Sequence, residues 1–106
     1  MDIRNDKGES LIHQAVKKGD IIRVKQLIAE GHSVNTIDHN SWTPLHEACS
    51  MGNIPLMELL LANNANINVQ GGTERMTVLH EAVSSDNPDE TTIEFLLENG
   101  ADPYIE

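Results

Sequence analysis

The sequence predicts an all-α solenoid in which about three helix-turn-helix repeats stack side by side. The nine residues 41–49 (SWTPLHEAC) recur in diverged form at 9–15 (ESLIHQA) and at 76–82 (MTVLHEA). The histidines of these three segments follow one another at intervals of 33 and then 34 residues: His13, His46 and His80. A second apolar pattern with helical spacing follows each segment. Self-similarity at a period near 33 residues is typical of helical repeat arrays.

Each repeat opens with a loop, called here the finger, that leads into a first helix. A hydroxyl side chain stands where this helix begins, and such side chains cap the free backbone N–H groups: Ser10, Thr43 and Thr77. Pro44 falls in the first turn, where its missing N–H costs nothing. The first helices are expected to end near 18–20 and 51–53, which read KGD and MGN.

A second helix follows in each repeat, with apolar residues at helical spacing. These residues are Val24, Leu27 and Ile28, then Leu56, Leu59 and Leu60, then Ile93, Phe95 and Leu96. Gly31, Asn64 and Gly100 are expected to end these helices, because glycine and sometimes asparagine adopt the left-handed conformation found there.

The third repeat is irregular. Its finger contains Gly71-Gly72 and one extra residue, and the stretch 84–90 is two residues longer than its counterparts. We expect one domain over 1–106, with repeats at about 5–37, 38–71 and 72–106. Residues 101–104 (ADPY) resemble the start of a fourth finger, which leaves open whether the array ends here or continues.

Charge is distributed unevenly along the chain. The formal net charge is −10; residues 1–26 carry six Lys/Arg against four acids, whereas residues 27–106 carry one arginine against thirteen acids. Such an acidic chain is a poor direct partner for nucleic acid or an anionic membrane, and it favours a cationic ligand. The alternative is an acidic surface that serves only solubility. No stretch of 18 apolar residues is present, and no signal peptide is evident.

Nothing in the sequence indicates an enzyme, a cofactor or a metal site. Cys49 is the only cysteine, so an internal disulfide is impossible, and its apolar helix position suits a reduced intracellular protein. Buried thiols are unreactive. There is no phosphate-binding glycine loop and no close Cys/His spacing.

The repeat period aligns equivalent positions without a structure. Subtracting 33 or adding 34 to a position in the second repeat yields four sets: Glu9, Trp42 and Met76; Gln14, Glu47 and Glu81; Asn5, Asp38 and Gly72; Lys17, Ser50 and Ser84. The first three sets fall on the face formed by fingers and first helices, which is the usual ligand surface of a solenoid.

Trp42 is the centre of the candidate site. An indole face attracts a cation by roughly 0.5–2 kcal/mol. The carboxylates of Asp38 and Glu47 lie nearby in sequence, and those of Glu9 and Glu81 lie one repeat away on either side. The alternatives are that Trp42 packs against the neighbouring finger and that the carboxylates are simply solvated. A lysine ammonium offers three donors to carboxylates, and methylation removes them. With three aromatic residues in the chain, an aromatic cage for methyl-lysine is hard to build, which favours an unmethylated lysine.

The motifs identify the chain as similar to ankyrin-repeat proteins over essentially its whole length. Within that group, residues 8–13 (GESLIH), 18–21 (KGDI) and 38–49 (DHNSWTPLHEAC) resemble the ankyrin domain of the BARD family. That family is the RING- and BRCT-bearing partner of the breast-cancer-susceptibility ubiquitin ligase. A similar WTPLHEAC segment occurs in Tonsoku-like proteins and in the localisation factor of the SMC five–six complex.

The resemblance implies a reader of the histone-4 tail that binds an unmethylated lysine on freshly replicated chromatin. It implies a nuclear protein that binds the nucleosome, acts in DNA repair and reaches a RING-domain ubiquitin ligase partner through other parts of the full-length protein. In the family, counterparts of Glu9, Asp38, Trp42, Glu47 and Glu81 surround the lysine. This chain departs from the family at Glu81, commonly Asp, and at Ser50, commonly Asn; Met76 is expected to line the apolar part of the groove, with Met51 a further candidate. The resemblance also implies that the three repeated histidines form structural hydrogen bonds.

Two other functions remain open. One is that of a generic adaptor, which recruits another protein, for example through the basic face of the first repeat. The remaining alternative is an inhibitory module that docks a folded enzyme or transcription factor through its fingers.

Overall fold

The computed structural model describes residues 4–72, 74–84 and 88–103. Within these residues, six helices form three pairs, one in each repeat. The helices are α1 (Leu11–Lys17), α2 (Ile21–Ala29), α3 (Pro44–Ser50), α4 (Ile54–Ala62), α5 (Val78–Ser84) and α6 (Glu90–Glu98). The predicted all-α solenoid is confirmed. Residues 85–87 of the longer stretch 84–90 and Tyr104 lie outside the described residues.

The predicted helix caps are present. Ser10 and Thr43 each accept a hydrogen bond from the backbone N–H of the histidine three residues later, and Thr77 does the same for His80. Pro44 occupies the first turn of α3. The second helices are followed by Gly31, Asn64 and Gly100 at φ of 97°, 73° and 92°, as expected for left-handed end positions.

His13 and His46 connect successive repeats. The Nδ1 atoms of these histidines accept hydrogen bonds from the backbone N–H groups of Ser10 and Thr43, so the proton of the neutral ring belongs on Nε2. Nε2 of His13 then donates to the carbonyl of Trp42 at 2.7 Å, and Nε2 of His46 donates to that of Met76 at 3.0 Å. The expected structural role of these two histidines is confirmed. Each one holds the finger of the next repeat in register with its own first helix.

The core runs through the stack of helix pairs. The first helices α1, α3 and α5 pack on one another in sequence, and each second helix packs on its own first helix. Five of the predicted apolar residues of the second helices are fully buried: Val24, Leu27, Leu56, Leu60 and Leu96. The other four, including Phe95, are half-buried against that core. No helix among the described residues has the length and apolar character needed to span a bilayer.

The first two fingers share one turn geometry. Oδ1 of Asp38 accepts hydrogen bonds from the backbone N–H groups of Asn40 and Trp42, at 2.8 and 3.0 Å. One repeat earlier, Oδ1 of Asn5 accepts from the equivalent N–H groups two and four residues on. The side chain at this position therefore closes the finger and orients the residue that enters the first helix.

The irregular third finger is closed differently. Gly71 and Met76 exchange two backbone hydrogen bonds of 2.9 Å, and the Gly72 N–H donates to the carbonyl of Asn40 at 2.7 Å. Gly71 approaches the backbone carbonyl of Ser41 so closely that any Cβ there would collide with it. The two glycines thus let the longer finger pack directly on the finger before it.

Candidate functional site

A groove of about 820 Å³ lies along the fingers and first helices. We call it the acidic groove, because five carboxylates and two ammonium groups of the described residues line it. Six of the seven residues predicted from the sequence are among its lining residues: Glu9, Asp38, Trp42, Glu47, Met76 and Glu81. Asp38 lies in the second finger. Trp42 and Met76 lie just before the first helices of their repeats, and Glu47 and Glu81 lie in α3 and α5.

Trp42 is held on three sides by its own and the next repeat. Its ring stacks on the imidazole of His46, with centroids 4.4 Å apart and planes inclined by 29°. Its Nε1–H donates to Oε2 of Glu47 at 3.2 Å. A Cβ on Gly72 of the next finger would lie 3.4 Å from Cζ3 of the indole. The ring therefore packs against the neighbouring finger, as one interpretation of the sequence expected, and it also lines the groove, where cation binding stays a prediction.

Asp38 and Glu47 flank the indole from opposite elements. Asp38 uses Oδ1 to close its finger, so its position follows from the backbone rather than from a flexible side chain. Glu47 is oriented by the indole N–H. Both carboxylates are half-buried, which strengthens their attraction for a cation relative to fully solvated groups.

Glu9 differs from the expectation that it is a free carboxylate of the groove. It is buried, its Oε1 accepts a hydrogen bond from Nδ2 of Asn5 at 2.7 Å, and its Oε2 forms an ion pair with Nζ of Lys17. Burial alone raises the pKa of Glu9, but the hydrogen bonds from Asn5 and Lys17 outweigh it and hold the pKa below its usual value. Its negative charge is therefore compensated within the domain.

Lys17 is the cation that compensates it. The hydrogen bond to Glu9 raises the pKa of Lys17 against a smaller opposing effect of burial, and the charges of Glu47 and Asp38 raise it further. The Lys17 ammonium group therefore lies in the field of three groove carboxylates. The sequence placed Lys17 one helical turn beyond Gln14. It did not predict the contact with Glu9, because that contact depends on how the first finger packs on α1.

Ser50 is the predicted site residue that lies outside the acidic groove. Its hydroxyl donates to the backbone carbonyl of Glu47 at 2.9 Å. It lines a separate cavity of about 290 Å³, together with Met51, Glu81 and Cys49 among others. Glu81 borders both spaces. At the equivalent position of the next repeat, Ser84 does line the acidic groove.

Lys17 and Ser84 line the groove although their aligned set was not assigned to this face, and three further described groove residues were in no set: Lys7, Asn40 and Glu74. The repeat arithmetic contains the signal, because these residues occupy one equivalent position in the three fingers. Lys7 and Glu74 are exposed and of opposite charge, so the finger edge of the groove changes sign from the first repeat to the third.

The acidic side chains of the groove favour a cationic ligand. Among the described residues, no set of three or more His, Cys, Asp and Glu side chains is placed to hold a metal ion. The thiol of Cys49 is buried, and burial raises its pKa to about 11, so it is a poor nucleophile. What the arrangement offers is a row of oriented carboxylates beside one indole, which suits ammonium or guanidinium groups.

A family model described as "Ankyrin repeats (3 copies)" matches residues 12–106. Among curated proteins, human BCL-6 corepressor-like protein 1 is 37% identical over 97% of the chain. The bovine SMC5-SMC6 complex localization factor protein 1 is 33% identical over 76% of it, and the bovine Tonsoku-like protein is 39% identical over 65%. The chain spans only 6%, 8% and 5% of the length of these three relatives, respectively.

Proposed function

The chain belongs to the ankyrin-repeat family, and we propose that its acidic groove binds an extended basic peptide with one lysine ammonium held beside Trp42. Ankyrin repeats form a protein-interaction module, so the partner is a protein or a segment of one. The observation that carries the proposal is the joint placement of Trp42, Glu47 and Asp38 in the one groove.

The geometry favours a lysine because each element of the site is already oriented. Glu47 is fixed by the indole N–H and Asp38 by its own finger, so little side-chain entropy is lost when a ligand binds. An ammonium group brings three donors to these carboxylates and can also contact the indole face. Its attraction to the groove is electrostatic in large part, and affinity is expected to fall as the salt concentration rises.

An unmethylated lysine fits better than a methylated one. Methyl groups remove donors and leave carboxylates unpaired, which costs free energy in a partly dry site. Recognition of methyl-lysine uses several aromatic rings. Trp42 is the aromatic residue that lines the acidic groove in the described part of the chain, and Phe95 lies in α6 against the core.

The ligand that we propose is the histone-4 tail with its target lysine unmethylated. Support comes from the resemblance of residues 38–49 to the BARD family and from the similarity to a Tonsoku-like protein and an SMC5-SMC6 localization factor. These relatives, with a corepressor-like protein, favour a nuclear protein acting on nucleosomes in replicated or damaged chromatin. A RING-domain ubiquitin ligase partner belongs to the same proposal, through parts of a longer protein.

A second candidate function involves exposed basic residues of the first repeat that do not line the acidic groove. Lys18, Arg23 and Lys25 are exposed on and beside α2, so a partner with an acidic surface has a basic patch to contact there. An adaptor of this kind would depend on Lys18 and would not depend on Trp42.

Calorimetric titration with histone-4 tail peptides, unmethylated and dimethylated at the target lysine, tests the first proposal. We expect binding in the micromolar range to the unmethylated peptide and a marked loss on dimethylation. Glu47→Gln should weaken binding by about tenfold or more, because hydrogen bonds to charged groups contribute roughly 1.5–3 kcal/mol. Glu58→Gln is the matched control, since Glu58 is an exposed residue of α4 outside the acidic groove and the net charge changes equally.

Trp42→Ala should abolish binding while far-ultraviolet circular dichroism shows a folded domain. Unchanged affinity in a folded Trp42→Ala protein would rule out the proposed site. Loss of binding on charge reversal at Lys18, with Trp42→Ala silent, would instead support the adaptor.

A further inference from the structure

The acidic groove already contains a lysine of the domain itself. Lys17 ends α1, and its ammonium group pairs with the buried carboxylate of Glu9. The equivalent positions of the second and third repeats carry serines, so this cation is particular to the first repeat. The side chain of Glu9 is 5% exposed and that of Lys17 is 37% exposed. The carboxylate is therefore screened from solvent while the lysine beside it is partly in water.

A peptide ammonium and the Lys17 ammonium have the same chemistry. Both are attracted electrostatically to the carboxylate of Glu9 and to those of Asp38 and Glu47, whose charges act on Lys17 in the free domain. Asn5 and Lys17 each bind one oxygen of Glu9, and a second ammonium group at this carboxylate would lie beside that of Lys17 and be repelled by its like charge. Lys17 has a flexible four-carbon stem, and moving its ammonium group into water requires only rotations of that side chain.

We propose that Lys17 is an affinity- and specificity-determining residue that occupies Glu9 in the free domain and is replaced there by the ammonium group of a bound lysine. This inference rests on the proposed function. Binding becomes an exchange of one ammonium group for another at Glu9, so the pair with Lys17 must be broken before the ligand gains its own. The affinity of the wild-type domain is correspondingly lower than that of a domain whose Glu9 is open.

The exchange also makes the groove more selective. An unmethylated lysine regains at Glu9 the hydrogen bond that Lys17 gives up. A dimethylated lysine has fewer donors and regains less, so Lys17 competes more effectively against it. Competition from an internal group that penalises the wrong ligand is a recognised route to specificity, since specificity is a difference between two affinities.

The test compares Lys17→Met with Lys18→Met by calorimetric titration of the unmethylated and dimethylated histone-4 tail peptides. The two substitutions change the net charge equally, but Lys18 is exposed and outside the acidic groove. We expect Lys17→Met to bind the unmethylated peptide about tenfold more tightly and to discriminate less between the two peptides, because the competitor is gone. Lys18→Met should behave as the wild type does.

The outcomes separate this inference from the proposed function. Equal or weaker binding by Lys17→Met, with the wild type binding, overturns the inference and leaves the function standing. Binding by Lys17→Met alone supports the inference and overturns the function for the wild-type domain. Binding by neither protein overturns both, because removing Lys17 would not have opened a lysine site.

Two further measurements cover the case in which an unpaired Glu9 destabilises the single variant. The double variant Glu9→Gln/Lys17→Met removes both charges, and it should bind no more tightly than the wild type; a gain equal to that of Lys17→Met would overturn the role of Glu9. In the wild type, the ¹H–¹³C signals of the Lys17 ε-methylene should shift on saturation with unmethylated peptide while those of Lys18 stay in place. An unmoved Lys17 signal in the bound state would contradict displacement.

Discussion

The indole N–H of Trp42 donates to Oε2 of Glu47 at 3.2 Å. This bond connects the residue before the N-cap of α3 with a residue in the middle of that helix. One face of the same ring stacks on His46, whose Nε2 in turn donates to the finger of the third repeat. The orientation of a groove carboxylate is thereby connected to the stacking of repeats. A ligand that contacts Glu47 uses a side chain that the solenoid has already positioned.

The first prediction concerns the coupling between Trp42 and Glu47 in peptide binding. Trp42→Phe keeps an aromatic ring on His46 and loses the N–H, so Glu47 is less well oriented and binding should weaken several-fold. Because both residues act through one hydrogen bond, Trp42→Phe/Glu47→Gln should weaken binding less than the two single effects combined. Calorimetry on the four proteins measures this cycle. Additive effects would show that the two side chains act on the ligand independently.

A second prediction separates backbone strain from contact at Gly72. Gly72 and Gly31 have φ of 79° and 97°, so alanine at either position should cost about 1–2 kcal/mol of stability. At Gly31 nothing lies within 4 Å of the new Cβ, whereas at Gly72 it meets the indole of Trp42 at 3.4 Å. Trp42 is the only tryptophan, so native fluorescence reports its surroundings.

We therefore expect Gly72→Ala, and not Gly31→Ala, to change the emission of the folded protein and to weaken peptide binding. Chemical denaturation supplies the stability of each variant. Identical spectra for Gly72→Ala and the wild type would contradict the contact between the third finger and Trp42.

The third prediction is a pH dependence of stability that arises from His46. Burial lowers the pKa of His46 below its usual value of about 6.5, because the charged ring loses its hydration. The unfolded chain therefore takes up a proton below that pH before the folded protein does. The stability that the buried neutral His46 contributes is present above pH 6.5 and is lost as the pH falls through the lowered pKa of the folded state.

Urea denaturation between pH 7.5 and 5.0 measures this effect. The free energy of unfolding should decrease with acidification, by at most about 1.4 kcal/mol per pH unit for one histidine. His46→Gln should be less stable at pH 7.5 and should show a shallower slope. A slope that is unchanged in the folded variant would assign the pH dependence to other groups.

A fourth prediction concerns Cys49. Its thiol is buried, its pKa is raised to about 11 by burial, and its Sγ–H donates to the carbonyl of Val78 at 3.5 Å. Reaction with a disulfide reagent at pH 8 should be more than about tenfold slower in the native protein than in urea, because thiolate is scarce and shielded. Colorimetric thiol titration follows both rates. Equal rates would mean that α3 and α5 do not cover the thiol.

The sequence by itself determined the all-α repeat architecture, because each repeat repeats the same local chemistry. Ser10, Thr43 and Thr77 mark helix starts through hydrogen bonds that depend only on the three following residues. Gly31 and Gly100 mark helix ends through backbone conformation. The period also predicted one shared face for Glu9, Trp42 and Met76 and for Glu47 and Glu81, since equivalent residues of stacked units lie side by side.

Only the tertiary structure decided which of those side chains are paired. Glu9 and Lys17 lie eight residues apart, and their ion pair depends on how the first finger packs on α1. Ser50 and Ser84 are equivalent in sequence, yet they line different spaces. Local periodicity fixes the face on which a residue lies. Whether its charge is free or compensated depends on distances between units, which packing alone sets.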